Sequence, residues 1–259
     1  MGQEGGGLLQ LSDIALAGGA GLLAGVMNAL AGGGTFATMP ALIAIGLPAN
    51  IANATSNVAV LPGVAASAWT YRDELAPVEG LSVRLLGALT FGCGLIGSVL
   101  LVLTPSRTFD VLIPWLLLFA FLVMLVGRRA ADWMHARVRI GRRSLLLNQS
   151  LLAIYSGYFG GGAGFILTAL YGLLAKMPPR ELFALRTTMI GLANLAAALV
   201  FICFGMVKWG VCLPMLVGTI AGGRLGALVG RRLPPGPVRA WTLLVTGATT
   251  LAFFLRAYG

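Results

Sequence analysis

Ten apolar stretches fill this chain, at roughly 14–31, 35–47, 52–71, 82–103, 109–127, 145–160, 164–175, 182–206, 209–231 and 237–256. Most approach the ~20 residues that an α-helix needs to span a hydrocarbon core. Composition closes off a soluble alternative. Hydrophobic residues make up 58% of the chain and charged ones 10%, against about 45–50% and about 25% in soluble domains. The expectation is an all-α polytopic membrane protein whose surroundings are the lipid bilayer. A net charge of +10 at first suggests nucleic acid. The Lys and Arg residues nevertheless fall in short connections between apolar runs, as membrane topology demands, so no nucleic-acid partner is expected.

Two stretches, 35–47 and 164–175, are too short for an untilted span, and each follows a glycine cluster: Gly32-Gly33-Gly34 and Gly160-Gly161-Gly162. The two halves resemble each other around these clusters. Gly32-Gly33-Gly34-Thr35-Phe36 matches Gly161-Gly162-Ala163-Gly164-Phe165, and Pro40-Ala41-Leu42 matches Thr168-Ala169-Leu170 with one gap. Downstream, Ala54-Thr55-Ser56-Asn57 lies opposite Leu185-Arg186-Thr187-Thr188, and Thr90 to Gly97 lies opposite Thr219 to Gly226. Each half reads as a helix, a glycine break, a short helix and three further helices, which points to an internal duplication. The first repeat is placed at 1–127, a basic cytoplasmic loop at 128–144 and the second repeat at 145–259.

Charge decides between two topologies. If each break forms a hairpin, one side collects Arg72, Arg84, Arg128, Arg129, Arg137, Arg139, Arg142, Arg143, Lys176, Arg180, Arg231, Arg232 and Arg239, thirteen cations. The other side holds three, Arg107, Lys208 and Arg256. If each break merely interrupts one spanning helix, the division falls to ten against six. Cytoplasmic loops carry the excess of Lys and Arg, so the hairpin arrangement is preferred. It gives five segments per half, an odd number. The repeats are then inverted, and both termini face the periplasm.

Candidate binding residues gather at the breaks. Backbone N–H groups at a helix start, with the positive end of its dipole, suit an anion. Paired half-helices also point to a transporter's binding site. This nominates Gly33, Gly34, Thr35 and Phe36 in one half, and Gly162, Ala163, Gly164 and Phe165 in the other. The bland alternative is that the glycines only permit close helix crossing. Asn53 and Asn57 share a helix face with Thr55 and Ser56 nearby; Thr187 and Asn194 share another, beside Arg186. Neutral hydrogen-bonding groups and an Arg fork suit the oxygens of sulfite, sulfate or a sulfonate. Interhelical hydrogen bonding is the competing reading for the polar residues, and snorkelling to the cytoplasmic edge is the one for Arg186. Arg224, inside a Gly222/Gly226/Gly230 ladder, reads either as neutralising a cavity or pairing with a carbonyl, or as riding on a packing face.

The acidic residues, Glu4, Asp13, Asp73, Glu74, Glu79, Asp110, Asp132 and Glu181, all sit in termini, connections or segment edges. None is placed for a carboxylate proton relay, and two intramembrane Arg residues favour an anionic substrate. Cys93, Cys203 and Cys212 lack CxxC spacing and read as packing residues. With His135 alone, no His-based metal site or triad can be assembled. Neither a cofactor nor a metal is expected. The first basic residue is Arg72, so a signal peptide's basic n-region is missing.

The run Ala31-Gly32-Gly33-Gly34-Thr35-Phe36-Ala37-Thr38-Met39-Pro40-Ala41-Leu42 followed by Ala52-Asn53-Ala54-Thr55-Ser56-Asn57-Val58-Ala59-Val60-Leu61-Pro62-Gly63 resembles the sulfite exporter TauE/SafE family of membrane permeases. Gly160-Gly161-Gly162-Ala163-Gly164, then Trp209 and Gly222-Gly223-Arg224-Leu225-Gly226, are similar to that family's second copy. The resemblance covers nearly the whole chain. It implies transport of sulfite, sulfoacetate or another organosulfonate across a bacterial inner membrane. The second glycine loop lacks a counterpart to Pro40, so the two hairpins are not fully equivalent.

The reading is thus export of a small sulfur-containing anion, driven by the membrane potential, by a monomer or homodimer. The alternatives are coupled uptake of sulfate or a sulfonate, and, in another class, a membrane-embedded enzyme or scaffold. The charge division gives a first prediction. With Cys93, Cys203 and Cys212 replaced by Ser, Gly2→Cys should label from the periplasmic side with an impermeant maleimide and Ser144→Cys should be protected. The reverse pattern would overturn the topology.

Overall fold

The computed structural model describes residues 10–30, 32–135, 141–174, 177–230 and 235–259. Among these residues the chain forms ten α-helices and no strand. The first half contains α1 (Leu11–Leu30), α2 (Thr35–Ala44), α3 (Ala49–Thr70), α4 (Val83–Leu103) and α5 (Ser106–His135), with a short 3-10 turn at Arg72–Glu74. The second half contains α6 (Arg142–Tyr158), α7 (Ala163–Leu174), α8 (Pro179–Cys203), α9 (Trp209–Gly230) and α10 (Pro235–Tyr258). Six helices, α1, α4, α5, α8, α9 and α10, are long and apolar enough to cross a membrane. α2 and α7, at 10 and 12 residues, are the two short segments expected after the glycine clusters. α5 runs on into the basic segment as far as His135. Arg137, Arg139, Lys176, Arg231 and Arg232, which weigh in the charge division, lie outside the described residues, as does Ala31.

Local chemistry sets these boundaries. Pro48 and Pro178 each sit immediately before a helix with the same extended backbone, φ −55° and ψ 144°. A residue that fixes φ and has no N–H is well suited to start a helix. α4 begins at Ser82, whose Oγ accepts from the Leu85 amide at 3.3 Å, a conventional side-chain cap. α2 ends through Gly46 at φ +93°, with Leu47 N–H donating back to the Leu42 carbonyl.

The packing repeats between the halves. α1 lies along α9 and α6 lies along α4; α3 packs on α9 and α8 on α4; α2 touches α10 and α7 touches α5. The first helix of each half therefore packs against the fourth helix of the other. α3 and α8 cross at the centre. Glycine makes the first of these contacts possible. A Cβ on Gly21 or Gly25 of α1 would run into the backbone of Met215, Thr219 and Gly222. One on Gly218 or Gly222 would collide with the backbone around Gly18 to Leu22. The α4–α6 contact uses Gly97 and Gly157 in the same way. The packing ladder is thus Gly218/Gly222/Gly226. Arg224 lies off it on the exposed face of α9, which removes it from any internal cavity.

Ion contacts report which helix ends lie together. Arg180 at the start of α8 pairs with Glu74 at 3.8 Å. Arg239 near the start of α10 donates to the Leu125 carbonyl of α5 at 3.0 Å. At the opposite end of α5, Asp110 pairs with Arg256 at 3.7 Å. The start of α8 therefore shares an end with the α3–α4 connection, and α10 runs antiparallel to α5. Breaks that only interrupt one spanning helix would put Arg180 and Arg72 at opposite ends.

The glycine contact predicts a contrast within α9. Gly222→Ala should lower the thermal stability of the purified protein, since overpacking of this kind costs about 1–3 kcal/mol. Gly223→Ala meets nothing within 4 Å and should match or exceed the parent, because Ala favours helix over Gly. Equal melting temperatures for the two variants would remove α9 from its place against α1.

Candidate functional site

Two helices stop in the interior, and their ends are built alike. Gly32 follows α1 at φ +91° and Gly160 follows α6 at φ +72°. Each donates its amide back five residues, Gly32 to the Met27 carbonyl at 3.0 Å and Gly160 to the Tyr155 carbonyl at 3.4 Å. That left-handed helix end tolerates almost only glycine. The chain then restarts as α2 and α7. The Gly34 amide is taken by Asn28 Oδ1 at 2.7 Å, and the Gly161 carbonyl accepts from Tyr155 Oη at 2.7 Å.

The two restarts meet each other. Gly33 is buried beneath the Phe165 ring, and a Cβ on Gly162 would meet Phe36 at 3.4 Å and also collide with Ala120. The Phe36 and Phe165 rings lie 6.3 Å apart. Gly164 lies against Gly32, Ala163 is fully buried, and Thr35 opens α2 half-buried. Gly33 and Phe36 of one break thus meet Gly162, Gly164 and Phe165 of the other, while Gly34 packs on Asn28 of its own α1.

The polar residues beside the breaks divide into two groups, and the division crosses the halves. Arg186 of α8 reaches the α1–α2 break: a Cβ on Gly32 would lie 3.8 Å from its guanidinium. Only 8% of Arg186 is exposed, so it does not snorkel to the edge. Its Nη1 donates to Thr168 Oγ1 at 3.5 Å, a long bond, and its Cζ stands 4.5 Å from the Phe183 ring. Nε has no partner. Among the described residues no carboxylate comes within ion-pair distance of it.

Asn53 and Asn57 of α3 go instead to the α6–α7 break. Asn53 Nδ2 donates to the Tyr158 carbonyl at 3.1 Å. Asn57 Nδ2 donates to Asn194 Oδ1 at 3.4 Å, and both groups face the open side of Gly160. Asn53 Oδ1, Asn57 Oδ1 and Ser156 Oγ are buried without partners. The grouping expected from sequence, Asn53 and Asn57 with the amides of Gly34 and Thr35, is therefore not the one formed.

Other nominated groups are already engaged. Ser56 and Thr38 share a hydrogen bond between their hydroxyls. Thr55 faces α9, where its Oγ1 accepts from the Lys208 amide at 3.1 Å. Thr187 spends its hydroxyl on the Phe183 carbonyl of its own helix. The sequence register also shifts by one. Ser56 and Arg186 each stand eight residues after Pro48 and Pro178, and each bonds a threonine eighteen residues earlier. Ser56, not Thr55, is thus the counterpart of Arg186, because the prolines fix where the two helices begin.

Sequence reasoning passed over Thr168 and Ser156. Thr168 stands in the quoted match Thr168-Ala169-Leu170, set there opposite Pro40, whereas its hydrogen bond makes it the counterpart of Thr38. Nothing comparable marks Ser156. Also passed over is a buried chain at the far end of α7: Tyr171 Oη donates to Gln149 Oε1 at 2.8 Å, and Gln149 Nε2 donates to Thr90 Oγ1 at 2.6 Å. It ties the half-helix to α6 and α4.

Comparison with known proteins adds an independent finding. The family model described as Sulfite exporter TauE/SafE matches residues 17–253. A probable membrane transporter protein YfcA of Escherichia coli K12 is 27% identical over 208 residues, covering 80% of this chain and 76% of that protein. A probable membrane transporter protein of Haemophilus influenzae is 29% identical over 211 residues, covering 80% and 81%. One from Sinorhizobium is 28% identical over 217 residues, covering 80% and 79%. Solved structures yield no significant match.

Proposed function

Since the chain belongs to the sulfite exporter TauE/SafE family, we propose that it carries a small sulfur-containing anion, sulfite, sulfoacetate or another organosulfonate, outward across a bacterial inner membrane. The chain is a multi-pass membrane transporter of that family, not an enzyme. The observation that carries the finer reading is Arg186. A buried guanidinium with no carboxylate beside it is costly in an apolar interior unless a counter-charge arrives. It meets the α1–α2 break next to Gly164, where the half-helices begin, and helix starts favour negative charge.

On this reading the sulfonate or sulfite oxygens bind Arg186 and Thr168, with backbone from Gly33 to Phe36 and from Gly162 to Phe165 around them. The two halves act as inverted repeats, with both termini periplasmic. Asn53, Asn57 and Asn194 line the second break, while Thr55, Ser56 and Thr187 hold the surrounding helices. An interior-negative potential favours outward movement of an anion by about 2.3 kcal/mol per charge per 100 mV. Export then requires no coupling carboxylate.

Proteoliposomes with an imposed potential test this, using sulfite, sulfate, thiosulfate and taurine. Efflux should rise with an inside-negative potential and fall when it is collapsed. Arg186→Gln should lose a charge-assisted hydrogen bond, about 1.5–3 kcal/mol, or roughly ten- to a hundredfold in affinity. Arg186→Lys should recover only part, because a point charge does not replace the planar fork. Efflux indifferent to potential, together with parent-like kinetics for Arg186→Gln, would overturn the reading.

A further inference from the structure

The two breaks are alike in backbone and opposite in side-chain chemistry. Each is the C-terminal end of a helix, where exposed carbonyls concentrate partial negative charge. At the α1 end a Cβ on Gly32 would lie 3.8 Å from the Arg186 guanidinium. At the α6 end there is no cationic side chain among the described residues that approaches the turn. Three unpartnered oxygens stand there instead: Asn53 Oδ1, Asn57 Oδ1 and Ser156 Oγ.

These residues are 1%, 6% and 2% exposed, so bulk water does not satisfy them. The amide nitrogens of both asparagines already donate once each, to the Tyr158 carbonyl and to Asn194 Oδ1. One N–H on each amide and the Ser156 hydroxyl can still donate, while the two Oδ1 atoms remain as unfilled acceptors that call for a positive or donating ligand. The Ser156 carbonyl is a further acceptor: a Cβ on Gly160 would lie 3.4 Å from that oxygen and 3.5 Å from Asn57 Nδ2. Glycine at this position leaves the space between them open.

We propose that the α6–α7 turn binds a monovalent cation, sodium or potassium, through Asn53 Oδ1, Asn57 Oδ1, Ser156 Oγ and carbonyls of the turn. Neutral oxygen ligands suit hard cations. No cluster of His, Cys or carboxylates among the described residues offers the charge a divalent ion would require. Unwound carbonyls and half-helix C-terminal ends are the groups that hold alkali cations in transporters with broken helices. The bound ion takes at the second break the place that Arg186 takes at the first. Each interior helix end then faces one positive charge, fixed in one half and exchangeable in the other. The site stands on the geometry of the turn and is independent of which anion is carried.

The test uses the purified full-length protein in detergent, with no sulfur anion present. Thermal stability is measured while sodium, potassium or N-methyl-D-glucamine chloride is varied at constant ionic strength. A saturable rise with sodium or potassium, absent with N-methyl-D-glucamine, is expected, and the stronger of the two arms identifies the ion. Ser156→Ala and Asn57→Ala should each weaken the apparent affinity about tenfold or more, as loss of a metal-site group does. Asn57→Asp supplies a carboxylate and should tighten it, which keeps the test decisive if an alanine variant fails to fold. Arg186→Gln should retain the cation response, separating this site from the anion reading. Identical curves for all three cations, or an Asn57→Asp variant no more responsive than the parent, would overturn the proposal and leave the oxygens to buried water.

Discussion

Everything in this architecture depends on how two helices are allowed to end away from water. A helix terminus leaves backbone groups without intrahelical partners, and a hydrocarbon surrounding supplies none, so such ends survive only inside protein. Gly32 and Gly160 meet the demand with the same left-handed turn and the same five-residue return bond. Asn28 and Tyr155 take up one further backbone group at each break. The remaining helices then serve to enclose those ends. α3 and α8, the two that cross at the centre, carry the polar side chains that face them.

Enclosure of this kind needs close helix approach, and the glycines supply it. α1 and α9 approach until backbone meets backbone along Gly21, Gly25, Gly218 and Gly222. Without a hydrophobic driving force between helices in lipid, such contacts hold through packing and backbone proximity. The same surface explains why α1 lies on a helix of the opposite half. Its own short partner α2, at 10 residues, is half its length, and α9 presents a continuous glycine face. Domain exchange of the first helices then locks both breaks against one another, with Phe36 and Phe165 at the junction.

Much of this was legible in the sequence because the determinants are local. Hydropathy placed nine of the ten helices within a few residues, α5 running eight residues beyond its apolar stretch, and the glycine clusters marked the two breaks. Charge counting favoured hairpins, and the Glu74–Arg180 and Asp110–Arg256 pairs join the ends that hairpins bring together. What sequence could not reveal is which break each polar residue faces. Asn57 and Arg186 both follow a glycine cluster in their own half, yet each reaches the cluster of the other half. That exchange is a property of helix crossing, a long-range fact with no trace in spacing. Arg224 failed for a related reason. Its neighbouring glycines define a packing face, and only the helix rotation reveals that Arg224 points away from it.

The difference between the two breaks bears on how one fold could both hold and release an anion. A pair of identical cationic breaks would surround the ligand with two fixed charges. Binding would be tight from either side, and conduction requires that occupancy also be easily lost. Here a single guanidinium is fixed, at the Gly32 end, while neutral oxygens occupy the matching position near Gly160. On the proposed reading an anion with one sulfonate or sulfite head therefore has one preferred orientation, head towards Arg186. As the carrier rearranges, only one charge-assisted contact has to be given up. The two backbone ends are similar, and Ser56 in one half where Arg186 stands in the other is one of the differences that make them chemically distinct.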